Sequence, residues 1–242
     1  MVFLILERIR FTQKIVLTKR NFVFLIIELL AISISLLISI YLLKPLVNFY
    51  SIFEIISLSD ISIPRPISIV LAILLIDFTN YFIHRVSHKI PYLWKLHRLH
   101  HSDKKVDAVT TFLHHPFEIM VNSLLIIALY VVFDIPVIVI IWFSYFAAVH
   151  SAFTHTELLI PEKIDRYLKY FIITPNMHRI HHSQDMKEGN SNFGNVFPWW
   201  DILFNTYIYK DKQTLNQLKF GIEERDSPNS NSIKSLLMNP FI

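Results

Sequence analysis

The sequence predicts an all-α integral membrane protein, with about four transmembrane helices and a cytoplasmic helical cap that carries histidine boxes. Three observations predict it. The 242 residues are 53% hydrophobic with a mean hydropathy of +0.43, too apolar for an ordinary soluble fold. Four apolar runs alternate with polar segments, and all twelve histidines fall at the run ends that share one membrane face. Cysteine is absent, so disulfides do not enter and any bound metal takes nitrogen or oxygen ligands.

From its start, Met1 to Asn21 carries Arg8, Arg10, Lys14, Lys19 and Arg20 among Phe and Leu, the pattern of a basic interfacial segment. Its apolar run is too short for a signal-peptide core, and no small-residue cleavage site follows the next run. Phe22 to Leu43 holds one charge, Glu28, and is long enough to cross a hydrocarbon core of about 30 Å. Lys44 to Pro66, with Pro45, Asp60 and Pro64, predicts a loop containing an interfacial helix over Phe49 to Leu58. Ile67 to Ile83 is a second span that runs without a break into His84. Phe117 to Phe133 and Pro136 to Phe153 form a helical hairpin joined by Asp134-Ile135, with Pro136 suited to the first turn of the returning helix.

This topology also places the N-terminus on the histidine face. Lys plus Arg number 5 before the first span, 6 between residues 84 and 116, and 10 after residue 150; the opposite face has only Lys44 and Arg65. The positive-inside rule puts the histidines and both termini in the cytoplasm.

The histidines follow helical spacing. His84 and His88 share a face at i, i+4, and His97, His100 and His101 form a second cluster. His178-Arg-Ile-His181-His182-Ser183 repeats His97-Arg-Leu-His100-His101-Ser102 almost word for word. Two copies of one three-imidazole grouping suggest two metal positions, or two walls of one site. Imidazoles packed so densely repel one another if protonated and compete for few partners if neutral. Below them, Asp77, Tyr81, His84 and His88 lie within about 60° of arc on one helix. An aspartate there is costly without a partner, so Asp77 is expected to accept the second N–H of His84 or a neighbouring ligand, with Tyr81 beside it.

Beyond the fourth span come His150 and His155-Thr-Glu157, a helix-like run from Glu162 to Ile173, and Thr174-Pro-Asn-Met177 leading into the third cluster. Gly189 to Asn195 reads as a tight polar turn, and Phe197 to Tyr207 as an aromatic interfacial stretch. Beyond Lys210 the chain is polar, with a Ser227 to Ser232 loop and one short amphipathic turn at Ile233, Leu236 and Leu237.

Together these motifs resemble the fatty acid hydroxylase and sterol desaturase superfamily of membrane histidine-box di-iron enzymes. The carriers are Asp77 to His88, the HxxHH of His97 to His101, His115-Pro-Phe-Glu118, the Thr174 to His182 box, and Asn192-Phe-Gly194 followed by Trp200-Asp-Ile-Leu-Phe-Asn205-Thr-Tyr207. His155-Thr-Glu157 is similar to the alkylglycerol monooxygenase branch, whereas Asn205 stands where many members have Gly. The likeness covers roughly residues 67 to 210 of a single domain, between an N-terminal segment with the first span (1–66) and a polar tail (211–242). It implies two iron ions, with zinc as a substitute in purified protein, and O2 as co-substrate. By motif the ligands are His84, His88, His97, His100, His101, His178, His181 and His182, with His155 next. His150, His114 and His115 remain open. The implied reaction is hydroxylation or desaturation of a lipid C–H bond.

The redox partner is absent from the chain. Three scattered glycines make no dinucleotide loop, and His115-Pro116 lacks the His-Pro-Gly-Gly signature of fused b-type cytochrome domains. A separate reductase, ferredoxin-like protein or b-type cytochrome is therefore expected at the basic face, and no nucleic acid. The alternatives are a zinc-dependent lipid hydrolase, with Glu118 or Glu157 as general base, and a His-rich metal transporter.

Overall fold

The computed structural model describes residues 18–50, 63–133, 135–222 and 232–241; among them regular structure is helical apart from one antiparallel bridge between Ser183 and Phe220. Most of the expected basic N-terminal segment, the interfacial stretch after Tyr50, Asp134 of the hairpin connector and most of the Ser227 to Ser232 loop lie outside the described residues. Three helices are long and apolar enough to cross a membrane: α1 (Lys19–Tyr50) over Lys19–Ile38, α2 (Arg65–Lys89) and α5 (Val137–Thr154). Between α2 and α5 lie the short α3 (Pro91–His97) and α4 (Pro116–Phe133), the latter apolar over the shorter stretch Pro116–Leu129.

One boundary differs from the sequence expectation. The loop predicted from Lys44 is helical as far as Tyr50, so α1 continues through Pro45. Proline biases the residue before it away from the helical region, which marks a probable helix boundary but not a certain one.

Prolines set the other turns. Pro64 and Pro66 open α2, and its C-cap Ile90 is extended (φ −89°, ψ 118°) because the residue before Pro91 is pushed out of the helical region. Pro91 then starts α3. That break carries the chain back, so His97 and the 3-10 turn His100–Ser102 lie over the end of α2. Further on come α6 (Glu162–Leu168) and α7 (Pro175–His181), the latter capped by the Thr174 side chain, which accepts from the Met177 N–H.

Two apolar cores join these elements. Ala72 and Ile76 of α2 meet Val139, Phe143 and Ala147 of α5 at helical spacing, with Ile135 and Val196 filling the same layer. Phe24 near the start of α1 packs with Leu99, Leu113 and Leu236. Arg20 pairs with Asp103 at 2.9 Å, so α1 begins at the histidine end, as the topology requires. The outward faces of α1 and α5 expose Leu29, Leu30, Ile138 and Trp142, the surface a bilayer would cover. The tail is less separate than its polarity suggests. Within the short helix Ile233–Met238, Leu236 is fully buried and Leu237 O accepts from His115 Nε2, and just beyond it Asn239 O accepts from Arg98.

Candidate metal centre

The C-terminal turns of α2, the α3 segment, the end of α5 and α7 converge, and their imidazoles form two groups. His84, His88, His97, His101 and His181 make one; His100, His155, His178 and His182 make the other. Within each group the candidate ligand atoms lie within 4.8 Å of one another. All nine histidines singled out by spacing and resemblance fall in these two groups. The boxes are shared between them: His97 and His101 serve the first group while His100 crosses to the second, and His178 and His182 serve the second while His181 crosses to the first.

Hydrogen bonds fix how the rings face. His84 Nδ1 donates to Phe193 O at 2.9 Å, His155 Nδ1 to Ser151 O at 2.7 Å, His181 Nδ1 to Ser191 O at 2.8 Å, and His97 Nδ1 to Glu118 Oε1 at 2.6 Å. A neutral imidazole has one N–H, so in these rings Nε2 is a bare acceptor. His155 Nε2 nevertheless faces the Nε2 atoms of His100, His178 and His182 at 3.1, 2.9 and 3.1 Å. In the other group the buried Nε2 atoms of His84, His88 and His181 have no hydrogen-bond partner. Lone pairs so arranged repel unless a cation lies between them. Nitrogens bound at about 2.1 Å to one ion stand roughly 3.0–3.4 Å apart, matching the separations in the second group. The donor set therefore fits two first-row metal ions.

The carboxylate that orients a ligand is not the one expected. Asp77 does not bond a histidine; it is fully buried and accepts from Val196 N (3.0 Å), Phe197 N (3.2 Å) and Trp200 Nε1 (2.9 Å). Tyr81, likewise expected beside the ligands, bonds Thr206 and Arg85 through its hydroxyl. The reason is competition: the 193–197 loop lies between α2 and α7 and supplies both the N–H groups that Asp77 takes and the carbonyl that His84 takes. Glu118, in the first turn of α4, is the carboxylate partner of His97, and its other oxygen lies 3.4 Å from His114 Nδ1. The sequence signal for it was an acidic residue four positions after His114 at the head of an apolar helix.

The three undecided histidines separate. His114 stacks on His100 at 4.3 Å between centroids and belongs to a small group with His97 and Glu118. His150 donates to Asn195 O and stands outside both large groups, as does His115. Around them the loop is held by Asp201, which accepts from Phe193 N, Gly194 N and Thr206 Oγ1. A Cβ on Gly194 would sit 2.7 Å from Ile173 Cδ1 and 2.8 Å from Phe197 O, so only glycine fits. Asn205 has φ +54°, a left-handed conformation that Asn tolerates.

Burial pushes His155 down to about 4 and His181 to about 3, from an ordinary value near 6.5. Both rings stay neutral when folded, the form a metal needs. Between pH 6.5 and about 4 the unfolded chain binds more protons than the folded one, so stability rises with pH across that window. In metal-free protein this contribution is complete above pH 6.5 and lost as the pH falls towards 4. A melting temperature recorded at half-unit pH steps should stay level above 6.5 and decline below it; a flat profile down to pH 4 would contradict the buried-neutral site.

A sequence model of the fatty acid hydroxylase family matches residues 69–206. Ornithine lipid hydroxylase OlsE of Rhizobium tropici is 30% identical over 148 residues, 60% of this chain and 43% of that protein. Alkylglycerol monooxygenase of Caenorhabditis elegans is 31% identical over 133 residues, 54% of this chain and 25% of that protein. A very-long-chain aldehyde decarbonylase of Oryza sativa subsp. indica is 26% identical over 159 residues, 62% of this chain and 25% of that protein. The chain thus spans less than half the length of these relatives. No solved structure matches it.

Proposed function

The chain belongs to the fatty acid hydroxylase family, and from that premise we propose that it is a membrane-bound di-iron oxygenase that hydroxylates a C–H bond of a lipid. Two iron ions, one in each histidine group, would supply O2 activation when bound. The observation that carries this reading is the pairing of the two groups around one cavity of about 160 Å³, lined by His84 and His97 from the first and His100, His155 and His178 from the second. Relatives named for hydroxylation of ornithine lipids and oxygenation of alkylglycerols support a lipid substrate.

The residues divide the work. Carbonyls of Phe193, Ser191 and Ser151 hold three rings in the tautomer that turns Nε2 inward, and Glu118 does the same for His97. Burial keeps water away from the groups. Electrons come from a separate donor protein, drawn to a cytoplasmic face rich in Lys and Arg. A zinc hydrolase would need a free general base, but Glu118 is committed to His97, and Glu157 lies 3.4 Å from Lys105.

The test is metal analysis and O2 uptake on protein reconstituted in lipid with a chemically reduced donor. About two metal ions per chain are expected, with uptake that requires both iron and lipid. Lipid turnover that continues when O2 is excluded would sink the oxygenase reading.

A further inference from the structure

A second cavity adjoins the metal-facing one. It measures about 290 Å³ and lies between α2 and α4 with α3 at one end, its walls almost wholly apolar: Phe82, Val86, Leu96, Leu125, Leu129 and Val132 among them. The two cavities share Ile83, Ser87, Glu118 and Asn122. The imidazoles are on one side only: five of the nine line the polar cavity, and none lines the apolar one.

The apolar cavity follows the helices away from the histidine end. On α4 its lining runs Glu118, Val121, Asn122, Leu125, Ala128, Leu129 and Val132, one helix stripe covering about 21 Å of axis. That is comparable with the roughly 15 Å hydrocarbon half of a bilayer. Phe82, Val121 and Leu125 are 55%, 40% and 45% exposed, so the cavity opens sideways towards the surface that lipid covers.

We propose that the substrate lies across both cavities, one hydrocarbon chain between α2 and α4 and its polar head beside His84, His97 and His100, so that the carbon oxidised is at or next to the head–chain junction. This rests on the oxygenase reading and specifies its substrate: a lipid amphiphile held in the orientation it has in the leaflet. The chain cavity ends at Ser87, Glu118 and Asn122 before any candidate ligand is reached, so methylenes deep in the chain stay remote from the metals. In the step itself one C–H bond becomes C–O–H. One atom of O2 enters the lipid and the other leaves as water, taking two electrons from the donor protein and two protons from solvent.

The experiment uses Co2+-loaded protein in phosphatidylcholine nanodiscs, with lysophosphatidylcholines carrying 13C at the second chain carbon or at the chain terminus. Paramagnetic relaxation should be stronger at the second carbon. Equal or reversed relaxation, or no binding at any chain length, overturns the placement. Ala128→Leu, and Ala128→Phe as a larger filler, narrow the chain cavity far from the histidines. Each should keep full metal content and bind the longest chains about 10- to 50-fold more weakly, leaving short chains unaffected. An unaltered chain-length profile in a fully metallated Ala128→Leu protein would also overturn it. These readouts need no turnover, so absent O2 uptake would sink the oxygenase reading separately. With turnover, fragmentation of the product should place the new oxygen at the head end of the chain, and oxygen in mid-chain would be the contrary result.

Discussion

His155→Ala is expected to abolish turnover and cut metal content from about two ions per chain to about one, with the protein still folded in its membrane. His155 Nε2 is the common neighbour of three other ring nitrogens in its group, at 2.9–3.1 Å. Removing it takes away a quarter of that donor set and opens the space between His100 and His178. The spans depend on apolar packing of α2 against α5, which His155 does not join. His150→Ala is the matched control. It lies five residues earlier, inside α5 and outside both groups, and this variant should retain both ions. Metal analysis on the two purified variants decides; full occupancy in His155→Ala would remove the four-histidine group from consideration as a metal site.

Asp77→Ala should cause the largest loss of stability from a single side chain outside the histidines. Three N–H donors converge on this carboxylate, and each buried donor left unpaired costs roughly 1–3 kcal/mol. A total of about 3–9 kcal/mol is a large fraction of typical domain stability. Metal should also be held less tightly, because the loop that Asp77 anchors is the one presenting Phe193 O to His84. Asp77→Asn keeps one acceptor oxygen and should be milder. Asp201→Ala frees the adjoining N–H groups of Phe193 and Gly194, so the double variant is expected to lose less than the sum of the two. Detergent unfolding curves with metal titrations on the same samples test this; unchanged unfolding in Asp77→Ala would refute the anchoring role.

The nine histidines were legible in the sequence because imidazoles at i, i+3 and i+4 and a repeated box are rare without a shared purpose. Their division into two groups was not legible. Adjacent residues such as His100 and His101, or His181 and His182, point about 100–120° apart in a helical turn, so each box supplies both groups, and only the meeting of the His100–Ser102 turn with the end of α7 reveals which ring goes where. Asp77 was misassigned for a related reason. Helical periodicity put it on the His84 face, yet its partners come from a loop more than a hundred residues later, beyond the reach of any local pattern. Glu118 was visible as a motif residue but had no partner until α4 was placed beside α3. The apolar helices were readable from hydropathy alone, although α4 is apolar over a shorter stretch than the other three and α1 runs on through Pro45, a probable rather than a certain helix boundary.

The bond from Val196 to Asp77 joins positions 119 residues apart, and this separation sets a schedule for biosynthesis. At about 5–20 residues per second, α2 waits on the order of 6 to 24 seconds before the peptide groups that satisfy its carboxylate exist. During that interval the helix must enter the bilayer carrying an unsatisfied Asp, on the strength of its apolar residues alone. His178, His181 and His182 are made only at the close of the same interval. The two histidine groups are complete only once His181 and His182 have been made, so any metal they hold would be taken up late, by a protein whose α2 is already inserted and waiting.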